Sequence, residues 1–286
     1  MVDISAKVCF VNDMLSTLGE RTLWHNIKDG LKIDFIPLSE KEKTNNYELI
    51  IQNSIWGRIN KDIPTISLVQ DNYFGLQRYY GPGHGCEQKL NAQWDACKEA
   101  TKIIYNTNYM SMEYKTFGKG EVIPLGIDHN LFKPKTHEEI NMLKMKYGIP
   151  LNTHIKIWVG STAPFKGLWN LDLNNGYWII VLKDRSPGIK NPNVLERVKV
   201  TQEELCDLYN CADVMINAND IEAQGLAIIE AMMCNIPVIS PRTGILWDWI
   251  PKFDKPRQEA INKGLTLECM LEQWFNLIIE VLENGK

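Results

Sequence analysis

The sequence has no long apolar run, no marked excess of either charge and no cysteine spacing suited to a metal. Its longest uninterrupted apolar stretch, Tyr177 to Leu182, is far short of the about 20 residues that a membrane-crossing helix needs. The formal net charge is −4, with no long block of one sign. A domain devoted to nucleic acid carries a strong basic excess, so no nucleic-acid partner is expected. The lysines at 133, 135, 144 and 146 read as a solvated face, with weak peripheral contact to an anionic membrane as the alternative. The seven cysteines are odd in number and scattered, and most sit among apolar neighbours. They read as buried thiols of a reducing compartment, with no metal site and no disulfide framework. The first residues, MVDISAKVCFVND, lack the basic-then-apolar order of a secretory leader, so a cytoplasmic protein is expected. Solenoid repeats and low-complexity tracts are absent as well.

What is present is a regular alternation of strand-like and helical stretches across 286 residues, 44% hydrophobic and 23% charged. Short apolar runs begin near residues 7, 33, 48, 65, 102 and 121, then near 155, 178, 194, 214 and 237. They are uninterrupted rather than alternating, as in strands buried on both faces, and helical patterns lie between several of them. Helices are expected at Glu20–Lys28, Glu87–Ala100, Gln202–Cys211, Leu226–Met233 and Leu267–Glu283. This order predicts parallel, doubly wound α/β sheets. A polar break at residues 133–153 divides the pattern, which restarts at Ile155. Two Rossmann-like domains are expected, 1–135 and 136–286, facing each other across a cleft, with the last helix able to pack back on the first domain. Trp158 and Trp178 lie in strands and are expected in the core.

Chemistry concentrates between Asn219 and Ser240. Gly225 permits a tight turn and a close backbone approach to a ligand. A helix opens at Leu226, so its unpaired amides and dipole suit a phosphate. Glu230 lies one turn (about 5.4 Å) further along, as the single charge in an apolar run. Glu222 lies before the turn. The resulting order of carboxylate, amides and carboxylate matches the order of hexose hydroxyls, diphosphate and ribose hydroxyls in a nucleotide sugar.

The spacing Glu222…Glu230 around Gly225, followed by Glu-Ala-Met and by Pro237-Val238-Ile239-Ser240, resembles the E-x7-E signature of retaining glycosyltransferases of the GT-B fold, family 4 in particular. Val122 to Asp128, with Phe132 and Pro134 after it, is similar to that family's interdomain strand and turn. Val159-Gly160…Lys166-Gly167, then Gln202 to Leu205 and Tyr209…Ala212-Asp213-Val214, follow in the family's order. The likeness covers about residues 121–245. It implies that Glu222 and Lys166 are catalytic: Glu222 binds the hexose hydroxyls, and Lys166 binds the diphosphate and stabilises the departing charge. Glu230 would bind the ribose, and Gly160, Ser161, Gly225, Leu226 and, from the first domain, Gly19 would complete the donor site. The family's reaction is a same-face substitution that typically uses no metal and no separate cofactor. The expected partners are a UDP- or GDP-sugar and a hydroxyl acceptor such as a glycan, lipid or small molecule.

Several positions depart from the family pattern. Ser161 stands where the family usually has an arginine, which leaves Lys166 as the one evident cation unless Lys183, Arg185 or Arg242 assists. Ala223-Gln224 replaces the usual Gly-Phe, and Asn235 replaces a glycine. In the first half, Gln70-Asp71-Asn72 stands where the family often has a histidine. Asp71 and His84 are the candidate acceptor residues. A hexosyltransferase is therefore expected, and the missing arginine makes a catalytically silent nucleotide-sugar-binding or scaffolding protein the alternative.

Overall fold

A computed structural model describes residue 4 and residues 7–12, 27–247 and 249–284. Gly19 and most of the expected helix Glu20–Lys28 lie outside these residues; residues 27–31 are helical. The described chain forms two compact units, one of residues 1–126 with 267–286 and one of residues 127–266. Each holds one parallel sheet.

In the first unit the strands are β1 (Val8–Asn12), β2 (Asp34–Pro37), β3 (Leu49–Asn53), β4 (Thr65–Val69), β5 (Lys102–Tyr105) and β6 (Glu121–Val122), in the order β2-β1-β3-β4-β5-β6. β1, β3 and β4 are buried at every residue, as their uninterrupted apolar sequences require. In the second unit β7 (Ile155–Gly160), β8 (Tyr177–Leu182), β9 (Val194–Val198), β10 (Val214–Ile216) and β11 (Val238–Ile239) run in the order β11-β10-β7-β8-β9. Every strand-like run in the sequence is a strand, with ends shifted by two residues at most.

The period-2 alternation of a strand sends successive side chains to opposite faces. β8 therefore feeds two cores. Tyr177, Ile179 and Val181 pack with Ile155, Ile157 and Val159, whereas Trp178, Ile180 and Leu182 pack with Trp158 and Leu168. Both tryptophans are buried, as expected. Each such side chain contributes on the order of 1.5–3 kcal/mol through burial. These cores set the strand ends that carry the functional loops.

The polar stretch at 133–153, expected as a break between domains, contains a helix, His137–Tyr147. Thr136 Oγ1 accepts from Glu139 N at 3.3 Å, and the Glu139 side chain accepts from Thr136 N at 2.7 Å. Gly148 closes the helix in the left-handed conformation. The Thr-x-x-Glu capping box was the available signal. It was obscured because this helix is mostly exposed and its apolar face is narrow, with Leu143 and Tyr147 only partly buried against the core. The lysines here do not form one solvated face, since Lys144 is buried and Lys135 Nζ lies 3.2 Å from Asp207.

The units divide at Gly126/Ile127 and again at Thr266/Leu267, not once at 135/136. Ile127 N donates to Leu265 O at 3.0 Å, and Phe132 packs on Tyr209, which ties the start of the polar stretch to the second unit. Helix Leu267–Asn284 groups with the first unit. There Lys102 Nζ bridges Glu121 at 2.7 Å and Glu280 at 2.8 Å, and Gly126 N meets Met270 Sδ at 3.2 Å.

Candidate functional site

In the second unit three strand ends and one helix start converge. β7 ends at Gly160 and leads through Ser161 to a short 3-10 turn, Pro164–Lys166. The indole N–H of Trp158, on β7, donates to Lys166 O at 3.3 Å and holds that turn against its own strand. Gly167 follows with φ of 76°, and a Cβ there would overlap the carbonyl oxygen of Ala218. The lysine loop and the segment after β10 thus approach more closely than any other residue would allow.

That approach pairs Lys166 with Glu222. Lys166 Nζ lies 2.9 Å from Glu222 Oε1, and Asn219 Nδ2 donates to the same oxygen at 2.6 Å. The backbone of Glu222 is held too, since its N–H donates to Thr243 Oγ1 at 3.1 Å while Thr243 donates to Asp220 O at 3.2 Å. The Lys166 and Glu222 side chains are 26% and 19% exposed, so the pair is partly desolvated but still within reach of a ligand.

Gly225, with φ of 90°, turns the chain into helix Leu226–Met233. Glu230 is 8% exposed. Its Oε2 accepts the phenolic O–H of Tyr209 at 2.9 Å, and Tyr209 also donates to Ala227 O at 3.1 Å. Burial pushes the Glu230 carboxyl above the ordinary carboxylate range, against the opposing effects of the Lys183 charge and the Tyr209 hydrogen bond. Burial likewise drives the Tyr209 phenol far up, with the Glu230 charge adding to it.

The structure brings Lys166 and Glu222 together, places Gly160 and Ser161 at the end of β7, and sets Leu226 and Glu230 one turn apart on a single helix. Ser161 lies beside Thr162, whose N and Oγ1 donate to Asp184 at 3.1 and 2.6 Å. Burial opposes ionisation of Asp184, but these bonds hold its carboxyl below the usual range. Among the three cations considered as substitutes for the absent arginine, Lys183 follows β8 and acts on Glu230, Arg185 is exposed, and the Arg242 guanidinium is bonded to Trp247 O at 2.8 Å. Asn219, Thr243 and Asp184 were not singled out from the sequence, since their partners are distant or in loops without a pattern. Among the described residues, no group of three or more His, Cys, Asp or Glu is placed to hold a metal.

In the first unit Asp71 follows β4. Its carbonyl accepts from Gln93 Nε2 at 3.2 Å and Tyr114 Oη at 2.7 Å. His84 lies beyond helix Tyr73–Tyr80, exposed and packed on Tyr80 with ring centroids 5.4 Å apart. An eight-residue helix is about 12 Å long, so the two candidates flank its opposite ends. No helix of the described residues is long and apolar enough to cross a membrane.

Comparison with known proteins agrees with this architecture. Residues 181–251 match the family model for glycosyl transferases group 1. A probable sucrose-phosphate synthase of Thermosipho melanesiensis is 30% identical over 185 residues, 54% of this chain and 43% of that protein. The chain thus spans less than half the length of this curated relative. The solved sucrose-phosphate synthase of Thermosynechococcus elongatus superposes with a TM-score of 0.73 at 14% identity, covering 97% of this chain and 99% of the other. Anabaena HepE, solved in complex with UDP, gives 0.72 at 13% identity, covering 96% and 100%. The chain has the GT-B fold, and its residues 181–251 are similar to the group 1 glycosyltransferases.

Proposed function

We propose that this chain moves a hexose from a nucleotide-diphosphate sugar to a hydroxyl acceptor, with retention at the anomeric carbon and without a bound metal. The observation that carries this reading is the Lys166–Glu222–Asn219 cluster placed just before the Gly225 turn, with Glu230 on the helix beyond it. Lys166 and Asn219 both bind Glu222 Oε1, which leaves Oε2 to a hexose hydroxyl. The unpaired N–H groups of the first helical turn and the Lys166 ammonium face the diphosphate. Glu230, one turn further on and already oriented by Tyr209, accepts from the ribose hydroxyls.

In the reaction the bond from the anomeric carbon to the diphosphate oxygen breaks, and its electron pair stays on the phosphate. The acceptor oxygen bonds to the same face of the sugar, and its proton passes to the departing phosphate oxygen. Lys166 and the helix amides stabilise the negative charge that develops there. Because Ser161 supplies no charge, Lys183 provides the second cation of this unit. Asp71 and His84 of the first unit are the candidate acceptor contacts. The UDP complex of HepE supports a uridine donor, with a guanosine donor as the alternative.

A thermal-shift screen of UDP-, GDP- and ADP-sugars, followed by donor hydrolysis, tests the reading. The expected result is stabilisation by one nucleotide class and slow release of free sugar, lost in Lys166→Ala. Binding without turnover on any acceptor would identify a silent binding protein instead.

A further inference from the structure

Four neighbouring strands of the first unit's sheet finish on carboxamides. Asn12 ends β1, Asn53 ends β3, and Gln70 and Asn106 directly follow β4 and β5. The register pairs Val11 with Gln52, Asn53 with Leu68 and Val69 with Tyr105, so Asn12 is level with Asn53, and Gln70 is level with Asn106 two residues further along the same carboxyl edge. In open α/β sheets this edge is where ligands bind. All four are buried, none more than 6% exposed.

Two of the four have a structural role, for Asn12 Oδ1 accepts the Trp56 indole N–H at 2.8 Å and Asn53 Oδ1 accepts Ile55 N at 3.2 Å. The other two are incompletely satisfied. Neither the Nε2 nor the Oε1 of Gln70 has a hydrogen-bond partner, and neither does the Oδ1 of Asn106. Gln93 Oε1, on the adjoining helix Cys86–Cys97, is unpartnered as well. Meanwhile the backbone that carries Gln70 is held firmly. Asn106 Nδ2 donates to Gln70 O at 3.4 Å, and Gln93 and Tyr114 both donate to Asp71 O. Buried amide groups without partners are rare and costly in folded proteins, and a cluster of them at a ligand-binding edge calls for a ligand that completes it.

The unfilled groups define its chemistry. Those of Gln70, Asn106 and Gln93 comprise one amide donor and three carbonyl-type acceptors, all neutral. A phosphate or carboxylate would meet three oxygens and one uncharged donor. A sugar hydroxyl both donates and accepts, and a carboxamide can bind two adjacent hydroxyls at once. We propose that this edge binds a neutral, hydroxyl-rich ligand bearing no phosphate or carboxylate, with Gln70 and Asn106 as specificity-determining residues. This rests on the glycosyltransfer reading only in taking that ligand as the acceptor.

The test is binding of methyl glucoside, methyl galactoside and glycerol, against glucose 6-phosphate and glucuronate, to the full chain by saturation-transfer NMR. The neutral compounds should bind and the anionic ones should not. Gln70→Ala should weaken binding by about tenfold or more, the equivalent of losing about 1.4 kcal/mol, while nucleotide affinity stays unchanged. Gln70→Met should abolish binding but leave the melting temperature equal or higher, because an unpartnered amide is replaced by an apolar chain of similar size. Tighter binding of the anions, no binding of any neutral compound, unchanged binding in Gln70→Ala, or a clear fall in melting temperature in Gln70→Met would each overturn the proposal. Nucleotide binding is read separately in the same samples, so failure of the glycosyltransfer reading remains distinguishable.

Discussion

Lys166 Nζ and Glu222 Oε1 lie 2.9 Å apart across 56 residues of sequence, and Asn219 shares the same carboxylate oxygen. The pair presents a cation and a carboxylate side by side, which under the proposed function would meet the diphosphate and the hexose hydroxyls respectively. Partly exposed ion pairs contribute little to stability, typically about 1 kcal/mol or less. Lys166→Ala should therefore melt within about 4 °C of the parent while donor hydrolysis falls by about a hundredfold or more. Nucleotide-sugar turnover and a thermal melt of the same sample check both halves.

Gly167 makes that pairing possible. Its positive φ and its contact with Ala218 O leave no room for a Cβ. Gly167→Ala should destabilise the chain by more than about 1 kcal/mol and impair turnover even though Lys166 is retained. Parent-like turnover at a temperature where the variant is folded would contradict this.

Thr243 supports Glu222 from behind, accepting from its backbone N–H and donating to Asp220 O. Thr243→Val keeps the shape but takes the acceptor from the part-buried Glu222 N–H, at a cost of about 1–3 kcal/mol. A lower melting temperature together with a raised KM for the donor is the expected pair of changes, measured by calorimetry and initial rates.

Glu230 links the site to pH. Its carboxyl titrates above the ordinary range because burial penalises its charge. The folded chain therefore holds this proton more tightly than the unfolded chain, and ionisation at Glu230 costs stability. As pH rises through the ordinary carboxylate range, the parent should lose stability relative to Glu230→Gln, and the gap should level off above the raised native value. Below that range the two should melt alike. The variant's amide oxygen still accepts from Tyr209, so it should stay folded, while nucleotide affinity drops by about tenfold. Melting curves from pH 4 to 8 and a nucleotide titration test each part.

Much of this protein follows from short stretches of its own sequence. An uninterrupted apolar run such as Tyr177–Leu182 is buried on both faces wherever it packs, so parallel sheets could be read from it directly. The Gly225 turn and the Leu226–Glu230 spacing are likewise local, because the helical repeat sets them. Other features exist only once the chain has folded. Helix Leu267–Asn284 groups with the first unit through Lys102–Glu280, and the boundary lies at Gly126 because Ile127 pairs with a residue far along the chain. Tyr209 reaches Glu230 and Thr162 reaches Asp184 from separate elements. The unpartnered amide of Gln70 is visible only after its neighbours have taken their own partners. Such contacts depend on strand register and on the geometry of distant loops, and no periodicity within either partner's own segment encodes them.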